Sequence, residues 1–136
     1  MGSSHAPIVV DASAVLAFLQ EEKGYEQLAD IITNALISAV NVAEVFSKLS
    51  DLGMPQHEQE AVLALLALEV VTFEKQGALL VGTLRAKTKT LGLSLGDRAC
   101  ISLGIERSAT IYTTDKAWNK IPVEVLGKGC SIVCVR

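Results

Sequence analysis

Aromatic side chains are scarce in this chain: Phe, Tyr and Trp make up 4% of its 136 residues, so the core has to be aliphatic. Cysteine is scarce as well. Three cysteines are too few to staple a small secreted fold, and they suit a reducing, cytoplasmic compartment. Cys130 and Cys134 would stand about 13 Å apart on one extended strand, too far for a disulfide. Cys100 lies in an apolar run and reads as core. Two histidines, His5 and His57, are isolated, and no CxxC pair occurs, so no zinc-ligand pattern is present. No apolar run approaches the ~18 residues of a membrane span. The apolar stretch that starts at Ile8 is broken at Asp11, which argues against a signal peptide. An excess of positive charge is also missing. The net charge of −3 counts against binding nucleic acid by bulk charge, though not against an enzyme whose metals reverse the local field. There is no GxGxxG or Walker pattern, no repeat, no low-complexity tract and no interdomain linker.

Half of the residues are hydrophobic and one fifth are charged, an ordinary globular balance. The length fits one domain, residues 1–136, and suffices for a real core. The start, MGSSH at 1–5, reads as a cloning remnant. Strands are expected at 8–10, 35–38, 69–73, 110–113 and 131–135. Helices are expected at 12–20, 25–33, 41–52, 56–68, 75–90 and 95–107. The helix at 41–52 shows the clearest stripe, with Val42, Val45, Phe46, Leu49 and Leu52 at helical spacing. Gly53 and Pro55 end it, and Gly92 closes the helix at 75–90. Alternating strands and helices predict a mainly parallel sheet covered on both faces, an α/β protein of three layers, α/β/α. Such sheets bind ligands beyond the carboxyl ends of their strands, where strand order reverses.

Four acids stand at such places: Asp11 in IVVDASAV, Glu44 in NVAEVF, Asp97 in LSLGDRACI and Asp115 in IYTTDKAW. Each has a structural alternative. Asp11 and Asp115 can cap the helices that follow them. Asn41-Val-Ala-Glu44 and Ser94-Leu-Gly-Asp97 both fit a capping box. Acids at helix starts also gain about 0.3–1 kcal/mol from the dipole. Jointly, however, four carboxylates exceed what capping requires, since Ser or Asn would serve. A pocket of carboxylates must take up protons or bind a cation, and carboxylate oxygens suit hard ions such as Mg²⁺ or Mn²⁺. Ser13 and Thr114 are placed to support the acids through their hydroxyls, with local backbone bonding as the alternative. Arg98 either pairs with a nearby acid or holds a phosphate. Lys48 stands one turn after Glu44, the spacing of a helical ion pair.

At these four motifs the chain resembles the PIN-domain ribonucleases, in particular the VapC toxins of prokaryotic toxin–antitoxin pairs. The resemblance runs from Ile8 to Val135. The family's motif positions fall on Asp11, Glu44, Asp97 and Asp115, with Thr114 as a polar helper. No acid is missing, and Ala39 in SAVNVAEV does not touch the chemistry. The resemblance implies a PIN-like fold and a Mg²⁺- or Mn²⁺-dependent endoribonuclease acting on RNA. It also implies a cognate antitoxin that covers the site, and a homodimer. In that reading Asp11, Asp97 and Asp115 hold metal, and Glu44 is a ligand or positions the attacking water. Arg85, Lys87 and Lys89 in LRAKTKT are candidate groups for positioning RNA, with a solvated helix face as the alternative. Leu16, Leu19, Leu28, Ile32, Phe46 and Leu49 are candidates for a groove that takes an antitoxin helix, against the alternative of plain core or dimer seam.

Three other functions stay open from sequence. One is a PIN-fold nuclease that processes RNA without an antitoxin. Another is a non-catalytic interaction domain on the same fold, since fold does not fix function. An aspartyl phosphatase also places an Asp at a strand end near Mg²⁺, but it wants a second acid two residues later. Here that residue is Ser13.

Overall fold

The computed structural model describes residues 6–136, so the presumptive cloning remnant lies outside it. The chain runs β1 (Ile8–Val10), α1 (Ala12–Leu19), α2 (Tyr25–Ala29), β2 (Leu36–Ser38), α3 (Ala39–Asp51), α4 (Gln56–Leu66) and β3 (Glu69–Val71). It continues with α5 (Lys75–Lys87), α6 (Leu95–Arg107), β4 (Thr110–Thr113), α7 (Val123–Leu126) and β5 (Ser131–Cys134). Single 3₁₀ turns lie at Lys89–Leu91 and Lys116–Lys120. The five strands form one parallel sheet in the order β3-β2-β1-β4-β5.

Side chains alternate across a strand, so neighbouring residues go to opposite faces. The core divides accordingly. Val9, Leu36, Ile111 and Ile132 pack into one cluster with Leu84 of α5 and Ile101 and Leu103 of α6. Val10, Ile37, Tyr112 and Val133 pack into the other, with residues of α1 to α4 such as Val15, Leu28 and Val45. The sheet is thus covered on both faces, which is the three-layer α/β/α arrangement expected from sequence. Both clusters are mainly aliphatic, and Trp118 is the one large aromatic side chain that is fully buried. Full burial of a residue such as Ile37 or Ile101 contributes about 1.5–3 kcal/mol. Gly104 lets α6 lie close on the sheet: a Cβ there would collide with the side chain of Ile111.

Several boundaries differ from expectation. Helix α2 stops at Ala29, where the amides of Ile31 and Ile32 both turn back to the Leu28 carbonyl. Helix α3 begins at Ala39, because the Ser38 hydroxyl accepts from the Val40 amide and caps it. Asn41 is therefore inside the helix and is not its cap. The segment 75–90 breaks after Lys87, where the Thr88 hydroxyl donates to the Leu84 carbonyl and a 3₁₀ turn follows. Helix α7, four residues long, is too short to show a period and was not expected.

The presumed partner groove is also divided. Leu28, Ile32 and Leu49 are core residues, whereas Leu16, Leu19 and Phe46 stay partly exposed. Among the described residues, no helix is long and apolar enough to cross a membrane.

The topology fixes where a site belongs. From β1 the chain moves outward to β2 and β3, and then returns to the other side of β1 with β4. The switch point is the gap beyond the carboxyl ends of β1 and β4. Asp11 follows β1 directly, and Thr114 and Asp115 follow β4.

Candidate active site

Asp11 is the most deeply set of the four acids, with 5% of its surface exposed. It caps α1, accepting the Ala14 amide at 2.8 Å on Oδ1. The Ser13 hydroxyl lies 2.7 and 2.9 Å from its two oxygens and donates to them. The Thr113 hydroxyl donates to Oδ2 at 2.6 Å. Burial still dominates, and it pushes the carboxyl up from an ordinary 3.8 to about 6. The three hydrogen bonds oppose that rise, and the charge of Asp97 adds to it.

Asp115 reaches the same centre through Thr113. Its amide donates to the Thr113 hydroxyl at 3.1 Å, so one threonine oxygen joins Asp115 to Asp11. The Thr114 amide donates to Ser13 Oγ at 3.1 Å, which ties the end of β4 to the start of α1. Asp115 Oδ1 accepts from the Ala117 amide at 3.0 Å and caps the 3₁₀ turn.

Asp97 lies in the first turn of α6 and completes the expected capping box. Its Oδ2 accepts from the Ser94 amide at 2.9 Å, and the Ser94 hydroxyl accepts from the Asp97 amide at 3.1 Å. Glu44 projects from α3. Its Oε1 accepts from the Asn41 side-chain amide at 2.8 Å, and the same amide group donates to the Gly96 carbonyl at 3.1 Å. Behind these acids sits the fully buried Cys100. Burial raises its thiol well above the usual range, and the charges of Asp11, Asp97 and Glu44 push it further the same way.

The capping alternative thus holds for three acids: Asp11, Asp97 and Asp115 are caps, and each spends one oxygen on that task. Among the described residues, Asp97 Oδ1 and Asp115 Oδ2 accept no hydrogen bond. None of the four acids makes an ion pair there, since the pair formed is Arg136–Glu22 at 2.8 Å. Among the described residues no three Asp, Glu, His or Cys side chains form a ready-made metal cage.

One expected helper lies elsewhere. Arg98 is buried on α6 and donates to the Val81 carbonyl of α5 at 3.0 Å, so it meets neither an acid nor the crevice. Adjacent helix residues point about 100° apart, and a neighbour of Asp97 in sequence turns away from it. Among the described residues Lys48 pairs with no acid, and Glu44 is held by Asn41 instead. Thr114 contributes its amide, whereas the hydroxyl on Asp11 belongs to Thr113. Sequence reading missed Thr113 and Asn41. Strand phase marks the first, because Thr113 shares a face of β4 with buried Ile111. The local spacing of Asn41 and Glu44 reads as a capping box, and only the second partner of Asn41, Gly96, 55 residues away, leaves no local signal.

The PIN domain family model matches residues 8–124, and the match contains all four acids. The chain belongs to the PIN domain family. Members of that family are nucleases. No curated protein matches the chain in sequence. Solved structures match it in shape. A toxin–antitoxin complex from Klebsiella pneumoniae superposes with a TM-score of 0.72 at 18% identity, over 95% of this chain and 98% of that one. VapBC2 from Rickettsia felis, bound to a DNA fragment from its promoter, gives 0.71 at 18% over 95% and 98%. VapBC-5 from Mycobacterium tuberculosis gives 0.58 at 15% over 96% and 99%. At such identities the likeness is one of fold.

Proposed function

We propose that this PIN domain is a Mg²⁺- or Mn²⁺-dependent endoribonuclease and the toxin of a VapC-type toxin–antitoxin pair. The observation that supports the reading is that Asp11 and Asp115 follow the two strands at the topological switch point and are linked through the Thr113 hydroxyl, while Asp97 on α6 and Glu44 on α3 lie on helices joined by the Asn41–Gly96 hydrogen bond. The donor set fits the ion: hard carboxylate oxygens, one of them on a buried acid whose charge has no counter-ion. Asp11, Asp97 and Asp115 would hold it. Once bound, the ion supplies Lewis-acid activation of water and neutralises charge on the scissile phosphate.

The chain's own residues do the rest. Ser13 and Thr113 keep Asp11 oriented and favour its ionised form, against the burial that favours the proton. Glu44 is exposed, held by Asn41, and suited to orient the attacking water and to take its proton. No nucleophilic side chain is required. The fold relatives described as toxin–antitoxin complexes support an antitoxin as partner, and a homodimer goes with the same reading.

Cleavage of unstructured RNA is expected to require Mg²⁺ or Mn²⁺, to stop in EDTA, and to return when the ion is restored in excess. A gel or fluorescence assay on a single-stranded substrate reads this directly. Cutting that continues undiminished in EDTA contradicts the metal mechanism.

Substrate contacts are proposed on α5. Arg85 and Lys89 line a cavity of about 370 Å³ with Thr88, Gly92 and Leu93, immediately before Ser94 and Asp97. Arg85 and Lys87 also lie in the last turn of α5, where cations suit the helix dipole. No acid occurs from Lys75 to Gly96, so this stretch is a basic track in an acidic chain. If RNA phosphates follow it, Arg85→Ala with Lys89→Ala raises KM about tenfold at unchanged kcat. The salt slope of RNA binding falls by roughly 1 to 2. An unchanged slope assigns the track to helix stability alone.

A further inference from the structure

Glu44 is exposed on α3, yet its carboxylate is enclosed on two sides. One side is Asn41, three residues earlier, whose side chain is 1% exposed. Its amide group has two acceptors, Glu44 Oε1 at 2.8 Å and the Gly96 carbonyl at 3.1 Å. Both partners only accept, so the NH₂ end must face them. The other side is Gly96 itself, in the first turn of α6. A Cβ on Gly96 would fall inside the Glu44 carboxyl group, so the carboxylate occupies the space that every other residue would fill.

Neither residue is what stability alone would select. The Asn41 carbonyl oxygen is buried and has no partner among the described residues, a cost that an aliphatic side chain would avoid. The Gly96 carbonyl already serves the hydrogen-bond ladder of α6 and does not need Asn41. Glycine is also among the weakest helix formers, where alanine is the best. Both choices make sense together as a seat for a carboxylate.

We infer that Asn41 and Gly96 form a clamp that fixes the Glu44 carboxylate against the N-terminal turn of α6, beside Asp97. The inference rests on the nuclease reading above and adds two positioning residues to it. Glutamate has three rotatable side-chain bonds, and an exposed glutamate on a helix samples several rotamers. The clamp selects one. It also explains why Lys48, a turn further along α3, does not draw Glu44 away. Asn41 bridges α3 to α6 across 55 residues of sequence, so the same contact sets the spacing between Glu44 and Asp97.

A double-mutant cycle tests the clamp. The variants are Gly96→Ala, Asn41→Leu, Glu44→Ala, and each of the first two combined with Glu44→Ala. The readouts are kcat and KM on single-stranded RNA with Mg²⁺, and Tm in EDTA. Gly96→Ala and Asn41→Leu are each expected to lower kcat on the order of 100-fold through misplacement of Glu44, with KM little changed. In the Glu44→Ala background neither should lower kcat further, because the group they position is gone. Gly96→Ala should also raise Tm in that background, where the new methyl has room and the helix gains a better former, by more than it does when Glu44 is present. A merely structural role for the two residues would leave kcat unchanged, so the kcat cycle separates positioning from stability.

Wild-type kcat in Gly96→Ala and Asn41→Leu, alongside an inactive Glu44→Ala, would overturn the clamp and leave the nuclease reading standing. So would losses that multiply with that of Glu44→Ala. Full activity in Glu44→Ala would instead count against Glu44 as an active-site acid, and the Tm cycle alone would then decide whether the carboxylate is seated on Gly96.

Discussion

Asp11→Asn should abolish RNA cleavage, by on the order of 10³-fold, while leaving the fold intact and more stable without metal. The substitution is nearly isosteric. The oxygen that accepts from Ser13 and from the Ala14 amide is kept, so the start of α1 remains capped. What is lost is the negative charge at the one acid buried between β1 and β4. Two hydroxyls and one amide point at Asp11, and Asp115 is tied to it through Thr113. Steady-state kinetics on purified variant and parent protein measure the loss. An Asp11→Asn enzyme within tenfold of the parent would remove Asp11 from the reaction.

The second large effect concerns pH and stability. The Asp11 carboxyl is raised from 3.8 to about 6 by burial, so its charged form is disfavoured in the folded protein. For an acid with a raised value the sign is destabilising. Below pH 3.8 the carboxyl is protonated in both folded and unfolded chains and contributes nothing. As pH rises towards 6 the unfolded chain loses its proton first, and the fold loses stability. Above pH 6 the penalty is complete, at about 3 kcal/mol for a shift of this size. In EDTA, urea denaturation should therefore show parent protein and Asp11→Asn converging near pH 4 and separating by about 3 kcal/mol at pH 7.5, with the variant more stable. Comparing the two proteins cancels the titration of the other acids. Equal stability at both pH values would mean that the hydrogen bonds from Thr113, Ala14 and Ser13 offset the burial in full. Metal binding to the parent at pH 7.5 should recover the difference, because a cation repays the buried charge.

Much of this arrangement was visible in the chain before any coordinates, and the failures have physical causes. Leu95–Arg107 and Thr110–Thr113 were read to the residue, because Ser94 and Asp97 form a local capping box and the strand is a short β-branched run. The three-layer fold followed from alternating elements, and the switch point followed from acids at strand ends. The start of α3 was misplaced because Ser38 and Asn41 are both good caps three residues apart. Local sequence cannot choose between them; the distant Gly96 carbonyl, which engages the Asn41 side chain, decides the matter. Ser13 supports Asp11 through its hydroxyl as expected, whereas the second hydroxyl on Asp11 is that of Thr113 and not Thr114, because the end of a strand is where phase is hardest to read. Arg98 could have been excluded from sequence: it follows Asp97 on a helix and must point elsewhere. The presumed groove illustrates a general ambiguity. A stripe of Leu and Ile at helical spacing reads the same whether it faces a core or a partner, and Leu28, Ile32 and Leu49 face the core.

The central claim, that the four acids form one divalent-cation site, is tested most directly by titrating Mn²⁺ into the parent protein and into Asp11→Asn, with binding followed by calorimetry at pH 7.5. The account predicts saturable binding to the parent and at least tenfold weaker binding to the variant, with Ser13 and Thr113 unaltered in both. Equal affinity for the two proteins would place the cation elsewhere and contradict the site.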